Sequence, residues 1–186
     1  ALFWLETKNL QMAKFAEKGF GREVVNAGAS RAFGGELSLR AAMLDNRLTL
    51  STSYGYSHSV FTTYALAANT DYAGNFVPFS PLHTLAISAQ FRQPLTHSIV
   101  KALSISTNCT GAGKIYWNEA NSFSRPFAAQ LNLQVTAELY KDIALSIWAK
   151  NLTQTNYKTF SFISMQRHFS QYGDPFHVGM DLSWRF

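Results

Sequence analysis

The chain has 186 residues, 47% of them hydrophobic, which is enough for a folded domain. Aromatic residues and charged residues each make up 15%, and the charged share lies well below the roughly 25% usual in water-soluble domains. The net charge of +5 is scattered over 16 Lys and Arg without a block of like charges, which argues against a nucleic-acid partner.

No apolar run approaches the roughly 18 residues that a membrane helix needs, so a bilayer would have to be crossed by strands. Cys109 is the single cysteine, which excludes an internal disulfide or a multi-cysteine metal site, and it reads as an unpaired thiol in a loop. His58, His83, His97, His168 and His177 lack metal-ligand spacing, so neither a metal nor another cofactor is expected.

The chain begins Ala1-Leu2-Phe3-Trp4 in mid-pattern, with neither an initiator Met nor a signal segment, as a piece of a longer protein would. A first strand is expected over 1–16, although Glu6, Lys8, Leu10 and Met12 alternate poorly. Over 22–43, Leu37, Leu39 and Ala41 alternate with Glu36, Ser38 and Arg40. After a turn at Asp45-Asn46-Arg47, the 47–64 segment sets Leu48, Leu50, Tyr54 and Tyr56 against Thr49, Ser51, Ser53 and Gly55. Over 82–94, Leu85, Ile87, Ala89 and Phe91 alternate with Thr84, Ala86, Ser88, Gln90 and Arg92.

A turn at Pro94-Leu95-Thr96-His97 leads to a strand over 98–109. Leu131, Leu133, Val135 and Ala137 then oppose Gln130, Asn132, Gln134, Thr136 and Glu138 over 125–139. Beyond Tyr140-Lys141-Asp142, one strand is expected over 142–163, with Ile143, Leu145, Ile147 and Ala149 opposite Trp148 and Lys150. The last, 174–186, places Val178, Met180, Leu182, Trp184 and Phe186 on one side and Asp181 and Arg185 on the other. The glycine pairs at 19–21 and 111–113 lack the context of a phosphate loop and read as turns.

A period of two means that the two faces of each strand meet different solvents. A soluble sandwich alternates as well, but it marks turns every 8 to 12 residues or so, whereas here they lie about twenty apart. Short polar turns also alternate with long irregular stretches near 65–82, 109–125 and 164–174. Outer-membrane barrels have this asymmetry, with short periplasmic turns and long outer loops. With Phe186 at the periplasmic rim, every short turn falls inside and every long stretch outside. The expected fold is all-β: about eight antiparallel meander strands of a transmembrane barrel, apolar side to lipid.

Four segments add a resemblance: NAGASRAFGGEL at 26–37, NFVPFSPLHTL at 75–85, GKIYWNEAN at 113–121 and WAKNLTQTNY at 148–157. In this order, and with the terminal Phe186, they resemble the C-terminal third of a TonB-dependent outer-membrane receptor. The resemblance implies that residues 1–186 are part of the wall of a 22-stranded barrel, without the plug domain. It also implies import of a scarce nutrient of the siderophore, cobalamin or glycan class. The implied partners are outer-membrane lipid, the small nutrient ligand, and TonB through an N-terminal part that this sequence lacks. The alternation ending in Trp184 and Phe186 resembles the signal read by the barrel-assembly machinery.

The outer stretch with Lys114, Tyr116, Trp117, Asn118 and Glu119 mixes aromatic faces with polar donors, as sugar or chelate binding requires, although aromatics also simply pack long loops. Tyr72 and Asn75 have the same standing. On the lumenal side, Arg40, Arg92, Lys150 and Arg185 either attract an anionic substrate or pair with Glu36, Glu138 and Asp181. Two rival readings are a complete eight-stranded barrel acting as anchor or adhesin, which would need strand 1 paired to strand 8, and a rim enzyme. The latter has only Ser80 near His83 to offer, and no enzymatic activity is expected.

Overall fold

The computed structural model describes residues 1–15, 21–26, 28–67, 70–96 and 99–185. The strands, in chain order, are β1 (Leu2–Lys8), β2 (Gln11–Phe15), β3 (Arg22–Asn26), β4 (Ala29–Met43), β5 (Leu48–Thr63), β6 (Ala65–Ala67), β7 (Thr70–Asp71) and β8 (His83–Pro94). They continue with β9 (Val100–Ala112), β10 (Ile115–Tyr116), β11 (Ser124–Arg125), β12 (Ala128–Leu139), β13 (Ile143–Lys150), β14 (Lys158–Ser164), β15 (Arg167–Tyr172) and β16 (His177–Trp184).

One antiparallel meander holds eight of them in the order β1-β4-β5-β8-β9-β12-β13-β16. The others pair as β2 with β3, β6 with β7, β10 with β11, and β14 with β15. Each of these hairpins lies within a long connection of the meander, so all four rise from the same end. At the opposite end the turns are tight. Leu44, Asp45 and Asn46 take positive φ in one, and Lys141 and Asp142 in another, a conformation that Asn and Asp tolerate best. Among the described residues β1 and β16 do not pair, so the sheet has two open edges and the closed eight-stranded ring does not form.

The register turns alternation into two surfaces. Met43, Leu48, Phe91, Ile105, Val135, Ile147 and Met180 stand in one cross-strand row. Leu39, Thr52, Ile87, Cys109 and Leu131 form another on the same face. On the opposite face Arg40, Ser51, Ser88, Asn108 and Asn132 are aligned. Among the described residues nothing covers the apolar face: Leu39 is 59% exposed, Ile147 58% and Leu182 72%. In water such a surface would be a large liability; in a bilayer the lipid is the second layer that an ordinary sheet lacks.

Aromatic rings mark the edges of that belt. Towards the hairpins, Trp4 stacks on Phe33 at 5.9 Å, Phe33 on His58 at 4.9 Å and Tyr54 on His83 at 6.0 Å. At the turn end stand Tyr140 and Trp184. The wall encloses little core of its own. The buried cluster of Phe61 and Tyr64, with Leu10, Met12, Tyr72 and Val77 against it, lies at the hairpin end, where loops pack on loops.

Several expectations change. The 1–16 and 22–43 strands each split, with β2 and β3 leaving the wall as a hairpin. The 142–163 strand breaks after Lys150, where Asn151 takes φ 51° and β14 turns away with β15. Gly111 and Ala112 are the end of β9 rather than a turn, and Cys109 is a free thiol inside that strand rather than in a loop. The His83 Nδ1 is hydrogen-bonded with the Tyr54 hydroxyl at 2.7 Å. His97, Gly19, Phe20 and Phe186 lie outside the described residues.

Candidate functional site

At the hairpin end, two loops are knitted together by Asn121. Its Oδ1 accepts the Phe76 N–H at 2.7 Å, and its Nδ2 donates to the carbonyls of Phe76 at 2.9 Å and Asn118 at 3.1 Å. Asn75 adds a bond from Nδ2 to the Glu119 carbonyl at 2.9 Å. Asn118 closes its own turn, donating to the Ser122 hydroxyl at 2.8 Å and accepting the Ser122 N–H at 3.0 Å.

Aromatic faces fill the rest. Tyr116 stacks on Phe76 at 5.5 Å, with the Lys114 ammonium 4.4 Å from the Tyr116 ring. Trp117 is buried between Phe79 at 5.7 Å and Phe160 at 6.4 Å. Tyr72 packs on Tyr64 at 5.2 Å. The seven loop residues singled out in the sequence therefore gather in one assembly, held by the side chains of Asn75 and Asn118, while the buried Trp117 indole N–H has no hydrogen-bond partner among the described residues. Lys114 keeps an exposed ammonium.

Tyr64 is 1% exposed and its hydroxyl has no hydrogen-bond partner among the described residues. Burial, then the nearby Glu119 carboxylate and Tyr72, push its pKa up to about 12. A phenol held neutral in this way contributes stability in full below its ordinary pKa near 10, and loses it as pH rises through 12. We therefore expect the loop assembly to loosen between about pH 10 and 12. Tyrosine absorbance and loop proteolysis followed together through an alkaline titration should change in concert. Loop opening complete below pH 10 would contradict this.

On the polar face of the wall, Arg92 donates from Nε and Nη2 to Glu138 at 3.0 and 2.6 Å. Asp181 accepts the Trp148 indole N–H at 2.8 Å, and Lys150 lies 5.2 Å from the same ring instead of pairing with Asp181. Gly179, across from Trp148, has no room for a Cβ, which would lie 2.2 Å from the indole. A polar groove of about 580 Å³ runs past Ser88, Gln90, Asn108, Gln134, Lys150 and Asp181. Arg185 lies with Lys101 and Asp142 beside a second hollow at the turn end. Glu36 borders another with Ser53 and Thr84, and Arg40 is exposed beside Ser51.

A family model described as TonB dependent receptor-like, beta-barrel matches residues 1–152. The chain belongs to the TonB-dependent receptor β-barrel family. Its fold is similar to that of the ferric yersiniabactin uptake receptor FyuA from Yersinia pestis, with a TM-score of 0.79 at 20% identity over 97% of this chain and 26% of that one. The ferric citrate transporter FecA gives 0.75 at 19% over 100% and 28%, and the siderophore receptor PiuA from Acinetobacter baumannii 0.72 at 19% over 97% and 24%. The chain thus spans about a quarter of the length of these receptors. Its antiparallel meander is a segment of a receptor barrel, with one apolar and one polar face.

Three features of this receptor segment escaped the sequence reading. Asn121 and Asn151 sit within quoted motifs, but nothing in an Asn marks which distant carbonyl it will bind. Arg125 is a third. It is buried at 7% exposure, its Nε has no hydrogen-bond partner among the described residues, and burial pulls its pKa down, offset in part by the Tyr157 phenol.

Proposed function

We propose that this chain is the C-terminal part of the barrel domain of a receptor that imports a scarce nutrient, most closely of the ferric-siderophore class, across the bacterial outer membrane. The observation that carries this reading is the eight-strand meander with two open edges, apolar outward and polar inward. Unpaired edges in lipid are too costly to persist, so further strands of the same barrel complete the ring. A polar lumen wall with the Arg92–Glu138 ion pair and wide grooves fits a surface made to receive a plug, through which TonB would act.

The matched structures are transport receptors. We take the protein to be a transporter rather than an enzyme. The test is uptake of iron-55 loaded siderophores by cells carrying the full-length parent gene, with and without TonB. Uptake that persists without TonB, or a parent gene that encodes no plug, would sink the reading.

The terminal strand is proposed to engage the barrel-assembly machinery. In β16, Trp184 is 66% exposed on the lipid side and pairs with Ile143. Deleting Phe186 from the full-length parent should lower its outer-membrane level several-fold, read by surface labelling; an unchanged level would contradict that role.

A further inference from the structure

Arg125 lies in β11, where it pairs with Ile115 of β10, at the base of the hairpin that rises between β9 and β12. It borders a cavity of about 310 Å³. The floor is made by Thr110 and Gln130 from the upper ends of β9 and β12, and the far wall by Tyr157 and Lys158 entering β14. A guanidinium that is more than nine-tenths buried, with an orphaned Nε and no carboxylate paired to it among the described residues, is an expensive arrangement without a counter-charge. The polar part of the remaining lining is a second cation, a phenol, two hydroxyls and an amide, with no acid among the described residues, and small or apolar residues fill the rest.

We infer that this cavity is an anion site, in which Arg125 receives a small ligand through carboxylate oxygens while Lys158, Tyr157 and Gln130 complete its shell. The inference rests on the import reading and deepens it by assigning the substrate a carboxylate-bearing face. The forked donors of a guanidinium match a carboxylate in two parallel hydrogen bonds, which an ammonium cannot reproduce. The volume is at the lower end of small-molecule pockets, so it suits one arm of a chelate or a small hydroxy acid rather than a whole large siderophore.

The test uses the full-length receptor in detergent, with citrate and salicylate as probes in titration calorimetry and a ligand-free melting curve for each variant. Wild type should bind at least one of the two. Arg125→Gln should weaken that binding at least tenfold, Arg125→Lys should recover only part of it, and Lys158→Gln should weaken it a few-fold. Without ligand, Arg125→Gln should melt no lower than wild type, because it removes an uncompensated buried charge.

Failure of both probes to bind wild type would overturn the proposal. So would an Arg125→Gln receptor that binds like wild type, or one that melts lower with affinity unchanged, since Arg125 would then pair with a carboxylate elsewhere in the parent protein. Should Arg125→Gln fail to assemble, Arg125→Lys and Lys158→Gln carry the same test. Siderophore uptake is read separately. Uptake that does not respond to Arg125→Gln sinks the site alone, whereas anion binding without any TonB-dependent uptake sinks the import reading alone.

Discussion

Replacing Ile87 by Arg should destabilise the assembled barrel by about 2–4 kcal/mol, whereas Arg at the adjacent Ser88 should cost less than about 1 kcal/mol. Ile87 is 46% exposed on the apolar face, between Thr52 and Cys109 on the neighbouring strands. It lies four residues below His83 of the outer aromatic band, which at about 3.3 Å per residue and a tilt of about 40° puts it roughly 10 Å deeper, near mid-bilayer. A guanidinium there has neither water nor a partner. Ser88 is the next residue of the same strand, but it points into the polar groove beside Asn108, where an Arg stays hydrated. The measurement is urea-dependent folding of the full-length receptor into lipid vesicles, scored by the heat-modifiable gel shift. A larger cost at Ser88 than at Ile87 would invert the face assignment and with it the barrel reading.

The paired substitutions isolate what made the wall legible. Where the two faces meet opposite solvents, each residue of β5, β8, β12 and β16 has to declare its side, and the period of two gives the face of the residues from Met43 to Met180, while the pairing of the strands sets them in one row. The tight turns were equally open to reading, since Asp45, Asn46 and Asp142 are residue types that accept positive φ.

What stayed hidden is set by contacts between distant segments. The Phe61 and Tyr64 cluster draws on Leu10 and Val77, and Asn121 reaches 45 residues back to Phe76. The hairpins deceived for a related reason. Phe160 and Phe162 alternate with Thr159 and Ser161 as a wall strand would, although in the opposite phase to Ile147, because β14 is itself an extended strand. Periodicity reports that a segment is extended, not which partner it takes. Arg125 offered no signal, because a lone Arg between Ser and Pro looks like any solvated loop residue.

Asn151→Ala should cost about 3–4 kcal/mol and release the start of the last outer hairpin. At 1% exposure, Asn151 is among the most completely buried polar residues described, and its side chain is fully used. Its Nδ2 donates to the carbonyls of Thr155 at 3.1 Å and Asp174 at 3.0 Å, and its Oδ1 accepts the Thr155 N–H at 2.9 Å and the Thr153 hydroxyl at 3.3 Å. Its own N–H goes to the Asn132 Oδ1 at 3.0 Å, tying the break to β12. Alanine would orphan a buried N–H and two carbonyls, at roughly 1 kcal/mol or more each, and at φ 51° it would meet a backbone penalty of about 1 kcal/mol that Asn largely avoids. Glycine separates the two effects: Asn151→Gly relieves the backbone and leaves the orphans, so it should recover only about a third of the loss. Thermal unfolding and proteolysis between Lys150 and Tyr157 in the full-length receptor would read both. If Asn151→Gly restored full stability, the break would be a matter of backbone conformation and the hydrogen-bond hub would contribute nothing. If it restored only that third, Asn151 is the clamp that ends the wall at β13 and sends β14 away towards the Arg125 cavity.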